Sequence, residues 1–164
     1  MINGRFGDTT GRPYVEGRFI FPHQPGNVWA WCSFIIDTGA ERSVLLPVDA
    51  RRMGLDRTKL VQTANSLGIG GNAPGHNEYA VVILGDDERG RLYEFRLTEV
   101  AFIPEDTDEM REIDASVLGR DVLDRVRLVY DKRDRRVTLE VLDFDREWSV
   151  TPGLFEDGPS AVLR

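Results

Sequence analysis

Apolar and polar positions alternate along most of this chain, and clusters of turn residues cut the alternation into short runs. Tyr14–Phe21 and Val28–Ile36 read as two strands, separated by the turn cluster Pro22-His23-Gln24-Pro25-Gly26-Asn27. Ser43–Leu46 reads as a short strand. Pro47–Met53 reads as one or two helical turns, with Pro at the start and Gly54 as the stop. Lys59–Leu67 and Glu78–Leu84 predict a long hairpin whose tip carries Ile69, Gly70, Gly71 and Pro74. Beyond the turn Gly85–Gly90 come a strand over Leu92–Ile103 and an acid-rich, solvated loop over Pro104–Asp114. Ile113–Leu118 follows as a short buried strand and Arg120–Arg125 as a helical turn or two. Val126–Tyr130 and Arg136–Leu142 then form a hairpin. Residues 1–13 are Gly-rich and polar and are expected to be loose, and the pattern fades from Asp143 onward. Many short strands with Gly/Pro turns and little helix predict one all-β, barrel-like domain over residues 14–142, with a tail over 143–164.

Composition narrows the partners more than the fold. The 164 residues suit a single domain, and 41% hydrophobic with 30% charged residues is ordinary for a soluble chain. With 28 acids against 21 Lys and Arg the net charge is −7, which argues against a nucleic-acid surface. Arg127, Lys132, Arg133 and Arg135 alternate with Asp124, Asp131 and Asp134, so that hairpin reads as a solvated face. No apolar run approaches the ~20 residues that span a bilayer, and the first residues lack a signal-peptide core. Cys32 is the only cysteine, so no internal disulfide can form, and a cytoplasmic location is the expectation.

Chemistry concentrates in Phe34–Pro47, where an apolar run ends at Asp37-Thr38-Gly39-Ala40 and a second short apolar run follows. Such a strand carries a carboxyl group out of the core and presents it at a tight turn. Apolar neighbours disfavour its ionised form and make it a candidate for acid/base work. Asp and Gly also favour ordinary turns, so the triplet alone leaves a plain turn aspartate open. Two further motifs share the chain with it: Leu67-Gly68-Ile69-Gly70-Gly71 and Val117-Leu118-Gly119-Arg120-Asp121.

Taken in this order, the three motifs resemble the retropepsin family, the retroviral-type aspartic proteases, over roughly Tyr14–Val141. Where viral members end shortly after the helix that follows Gly-Arg, with termini that interleave, a hairpin and the tail Asp143–Arg164 continue here, and in this the chain is similar to the cellular, non-viral branch. The resemblance implies a closed barrel with a flap hairpin and one or two short helices, acting as an obligate homodimer. It implies an endopeptidase without metal or organic cofactor, whose substrate is a peptide or an unfolded protein segment. Asp37 would be the catalytic residue, with Thr38, Gly39 and Ala40 completing its loop and Ile69, Gly70 and Gly71 forming the flap tip. Val117, Leu118 and Gly119 would back that loop, and Arg120 would pair with Glu41, which stands where viral members have Asp. Asp8-Thr9-Thr10-Gly11 is spaced wrongly for a second triplet, so the second carboxylate has to come from a second copy. A non-catalytic peptide-binding module and a dimeric interaction protein on the same fold are the alternatives.

The other reactive residues carry weaker readings. His23 and His76 lack metal-ligand spacing and read as surface histidines, and Cys32 reads as a small core residue. Gly68–Gly71 is followed by Asn72-Ala73-Pro74-Gly75 rather than a helix, unlike a nucleotide loop. Trp29 and Trp31 share one strand face, where packing accounts for them.

Overall fold

The computed structural model describes residues 1–26, 28–55, 63–68, 71–86, 88–102 and 115–150. In chain order the elements are β1 (Ile2–Phe6), β2 (Pro13–Phe21), β3 (Val28–Ile36), β4 (Val44–Leu45) and α1 (Pro47–Met53). The long hairpin is β5 (Thr63–Gly68) and β6 (Gly71–Asp86), followed by β7 (Arg91–Phe102). Then come β8 (Val117–Leu118), the single helical turn α2 (Arg120–Leu123), β9 (Val126–Asp131), β10 (Arg136–Val141) and β11 (Arg146–Ser149).

Alternation builds the core. Along β3, Ala30, Cys32, Phe34 and Ile36 are buried, and the intervening Trp29, Trp31, Ser33 and Ile35 lie on the other face. β2 runs antiparallel to β3 from Tyr14↔Ile35 to Phe21↔Val28 and adds Val15, Phe19 and Phe21 to the same interior. Phe19 meets Phe34 edge-on, with ring centroids 5.0 Å apart. Outside the barrel, the Arg18 guanidinium sits over both indoles, 4.9 Å from Trp29 and 5.5 Å from Trp31. The two tryptophans are packing residues, as their spacing predicts.

Six strands close into a ring. β2 pairs with β3, β3 with β8 in parallel, β8 with β4, β4 with β7 in parallel, β7 with β6, and β6 again with β2. The predicted helix is present with the predicted limits. Pro47 occupies its first turn, and Gly54 ends it at φ 66°, a left-handed conformation that glycine adopts without a Cβ clash. The predicted hairpin extends from the barrel with Thr63↔His76 at its base and Gly68↔Gly71 at its tip. β6 starts seven residues earlier than expected and includes Pro74 (71 against 78). Proline is tolerated there because β6 has a neighbour on one side only until β7 joins at His76. No helix among the described residues is long and apolar enough to cross a membrane.

Both ends of the chain correct the expectation drawn from sequence. Residues 1–13 are not a loose segment throughout: β1 pairs with β10 through Ile2↔Leu139 to Gly4↔Val137, and with β2 through Arg5↔Tyr14 and Phe6↔Pro13. Ile2 and Phe6 lie on one strand face and are both buried, so β1 joins the barrel to the β9–β10 hairpin. Beyond Asp143 the chain is likewise ordered as far as β11, which pairs with β7 from Arg146↔Glu94 to Ser149↔Arg91. Asp145 fastens that junction, accepting from the Arg96 N–H at 2.7 Å and from the Arg125 guanidinium at 2.8 Å. Partial burial opposes its ionisation, but these two partners hold its carboxyl below the usual carboxylate range. The predicted strand Ile113–Leu118 narrows to β8; residues 113 and 114 lie outside the described residues.

If β1 is part of the core, Ile2→Ala and Phe6→Ala each cost about 2–4 kcal/mol of stability. Urea unfolding measures this directly. An unchanged midpoint in both variants would return the segment to the loose status its composition suggested.

Candidate active site

β3 ends at Ile36, and the chain turns sharply through residues 37–40. Two backbone bonds seat this turn on the end of β8 and the start of α2: the Asp37 N–H donates to Leu118 O at 3.1 Å, and the Arg120 N–H donates to Ala40 O at 2.9 Å. Within the turn the Ala40 N–H reaches Asp37 O at 3.2 Å, and the Gly39 N–H reaches Asp37 Oδ1 at 2.8 Å. One carboxylate oxygen is thereby fixed by its own turn. The other accepts no hydrogen bond among the described residues. Asp37, Thr38 and Gly39 are exposed and Ala40 is half-buried. The apolar setting expected for Asp37 is therefore not supplied by one chain, because the turn projects past the barrel rim.

Val117, Leu118 and Gly119 lie where the sequence puts them, behind the turn. Ile35↔Val117 and Ile36↔Leu118 pair in parallel register, and Leu118 is fully buried. Gly119 packs so closely that a Cβ there would stand 2.3 Å from the Arg42 carbonyl carbon. Only glycine fits. Of the flap residues, Gly71 pairs with Gly68 in the hairpin, while Ile69 and Gly70 lie outside the described residues.

The expected Glu41–Arg120 pair is not formed. Both side chains are exposed and neither has an ion pair among the described residues. Arg42 pairs with Glu99 instead. The acid that grips this corner is Asp121, one residue after the arginine. Its Oδ2 accepts from the Ser43 N–H at 2.8 Å and its Oδ1 from the Ser43 hydroxyl at 2.7 Å. The Ser43 oxygen accepts in turn from the Gly119 N–H at 3.1 Å. This arrangement satisfies two backbone donors that a surface Glu–Arg pair would leave unmet. Burial pushes the Asp121 carboxyl above the usual carboxylate range; the Ser43 bonds and the Arg42 charge oppose that shift.

Other chemistries find less support here. Burial, reinforced by the nearby Asp49 charge, pushes the Cys32 thiol far above its ordinary range, so it is a core residue and not a nucleophile. His23 is exposed and stacks on Tyr79 at 4.9 Å, and the side chain of His76 lies outside the described residues. Among the described residues no three His, Cys, Asp or Glu side chains converge as metal ligands do. A cavity of about 330 Å³ beside the site is lined by Glu41, Arg42, Glu99 and Asp121 among others, and does not include Asp37.

A raised Asp121 carboxyl has a definite consequence for stability. Its favourable contribution is complete below the unfolded value near ~4 and is lost as pH rises through the higher folded value. Asp121→Asn removes that loss, so the melting temperature of the variant relative to the parent should rise between pH 4 and pH 7. A relative melting temperature that falls over the same interval would contradict the raised carboxyl.

Residues 30–122, which run from within β3 to within α2, match the family model described as "Aspartyl protease". The chain is also similar in structure to a retropepsin-like aspartic protease from Rickettsia conorii. The TM-score is 0.56, with 23% sequence identity over 84% of this chain and 88% of that one. No curated protein sequence gives a significant match.

Proposed function

The chain belongs to the aspartyl protease family, in its cellular retropepsin-like form, and from that premise we propose that it is a homodimeric endopeptidase with Asp37 of each copy as the catalytic dyad. One observation carries the reading: Asp37 stands exposed at the barrel rim, one oxygen held by its own turn and the other without a hydrogen bond among the described residues. A lone carboxylate cannot both take a proton and give one in the same step. Two of them about 3 Å apart share a single proton, because both cannot ionise together. A two-fold axis at this turn supplies the second from an identical copy.

The chemistry then follows with its protons accounted for. The ionised carboxyl takes a proton from a water whose oxygen attacks the scissile carbonyl carbon. The protonated carboxyl gives its proton to the carbonyl oxygen, leaving a tetrahedral diol. As the C–N bond breaks, the first carboxyl protonates the departing nitrogen and the second recovers a proton from the diol. The dyad ends as it began.

The remaining residues take supporting parts. Thr38 bonds across the axis and keeps the two turns rigid. Gly39 lets the substrate backbone approach, and Ala40 lines the cleft. Ile69, Gly70 and Gly71 close over the substrate and exclude water. Val117, Leu118 and Gly119 hold the loop from behind. Glu41 and Arg120, without an ion pair among the described residues, are available at the rim for a partner copy or for substrate. The substrate class is an extended peptide or an unfolded protein segment.

The test pairs a variant with a dilution series. Asp37→Asn should lower kcat on an unfolded protein substrate by roughly 10³-fold or more without moving the melting temperature. The parent should show a bell-shaped rate on the acid side of neutrality and an activity per chain that falls on dilution. Full activity in Asp37→Asn refutes the assignment. Peptide binding without turnover at any pH points instead to the non-catalytic module.

A further inference from the structure

β8 is two residues long, yet it is the strand on which the Asp37 turn is seated. Two paired residues are too few to fix a strand by themselves. Each end of β8 is gripped by a carboxylate working through a serine, Asp49 buried and Asp121 half-buried. At the leading end, Asp49 of α1 is 1% exposed, and its Oδ2 accepts from both the Ser116 N–H (3.1 Å) and the Ser116 hydroxyl (2.7 Å). The Ser116 hydroxyl oxygen accepts from the Leu46 N–H at 3.2 Å, and the Ser116 carbonyl from the Ile35 N–H at 2.8 Å. At the trailing end, Asp121 holds Ser43, whose oxygen holds the Gly119 N–H.

We infer that Asp49 and Asp121 are positioning residues for Asp37, which clamp the two ends of β8 through Ser116 and Ser43 and so set the height and tilt of the catalytic turn. The inference rests on the proposed dyad. Neither carboxylate touches the reacting atoms, and both act at a distance through backbone donors. The sensitivity comes from the chemistry: a displacement of about 1 Å in a reacting group costs on the order of 100-fold in rate.

Both grips depend on where acceptor oxygens lie, and asparagine preserves that. At position 49 a single amide oxygen can take both Ser116 donors. At position 121 the amide oxygen can take the Ser43 N–H, and its NH₂ can donate to the Ser43 oxygen, which has a second lone pair for Gly119. Alanine preserves neither.

The experiment compares the parent with D49A, D49N, D121A and D121N on one unfolded protein substrate. Active sites are counted by titration with a tight-binding transition-state-type peptide inhibitor, so that misfolded chains drop out. Each alanine variant is expected to lose about 10-fold or more in kcat per titrated site, with KM within about twofold. Its bell-shaped pH profile should narrow, because carboxyls that move apart couple less. The asparagine variants should recover to within about threefold of the parent. Alanine variants with parental kcat per site and an unchanged profile, losing only thermal stability, would show the grips to be structural and overturn the inference. If an alanine variant does not fold, Ser43→Ala and Ser116→Ala carry the same comparison. A parent that cleaves nothing removes the dyad and the clamp with it; a parent that cleaves beside insensitive variants removes the clamp alone.

Discussion

The parallel pairing of Ile35 and Ile36 with Val117 and Leu118 places the Asp37 turn, and the rest of the barrel is arranged so that this pairing can exist. A parallel pair cannot be joined by a tight turn, so β3 and β8 come from distant parts of the chain. The intervening hairpin and β7 complete the ring that brings them together. Burial of Phe34, Ile36, Leu45 and Leu118 at the rim makes the register costly to change, since a slip of one residue would turn each of them to the opposite face. A carboxyl group one residue past such a strand inherits its position from the core.

That inheritance is strengthened where backbone donors would otherwise be orphaned. The Ser43 and Ser116 N–H groups are each met by a carboxylate oxygen, and the serine hydroxyls pass the constraint on to Gly119 and Leu46. Gly119 has no room for a side chain because the chain at Arg42 passes directly over it. Close packing, a two-residue strand, the buried Asp49 and the half-buried Asp121 thus converge on the segment behind one exposed aspartate. Such an outlay of polar burial behind a solvent-facing turn is what a reacting group needs, and a plain turn does not require it.

Much of this was legible in the sequence wherever the signal is local. The alternation of Val28–Ile36 defines β3 to the residue, and Pro47 with Gly54 brackets α1, because periodicity and caps are written within a few positions. β1 was hidden because Asn3, Gly4 and Arg5 have loop composition; only pairing with β10, at the far end of the chain, makes the segment a strand. β11 was hidden for the same reason, its order coming from β7 and from Asp145. At the site, Asp37 and Gly119 could be read from their motifs. Asp121 could not, since its partner Ser43 is 78 residues away and a Glu–Arg pair beside it looked chemically complete. Asp49 carries no motif signal, although it is almost wholly buried, because its partner Ser116 is 67 residues away.

A shared-proton dyad needs two such turns facing each other. A crystal structure of the protein with a peptide-like inhibitor measures it directly, as the separation of the two Asp37 carboxyl groups across a two-fold axis. A shared-proton dyad requires about 3 Å between their nearest oxygens. Carboxyl groups held well beyond hydrogen-bond reach, or a chain that binds inhibitor as a monomer, would contradict it.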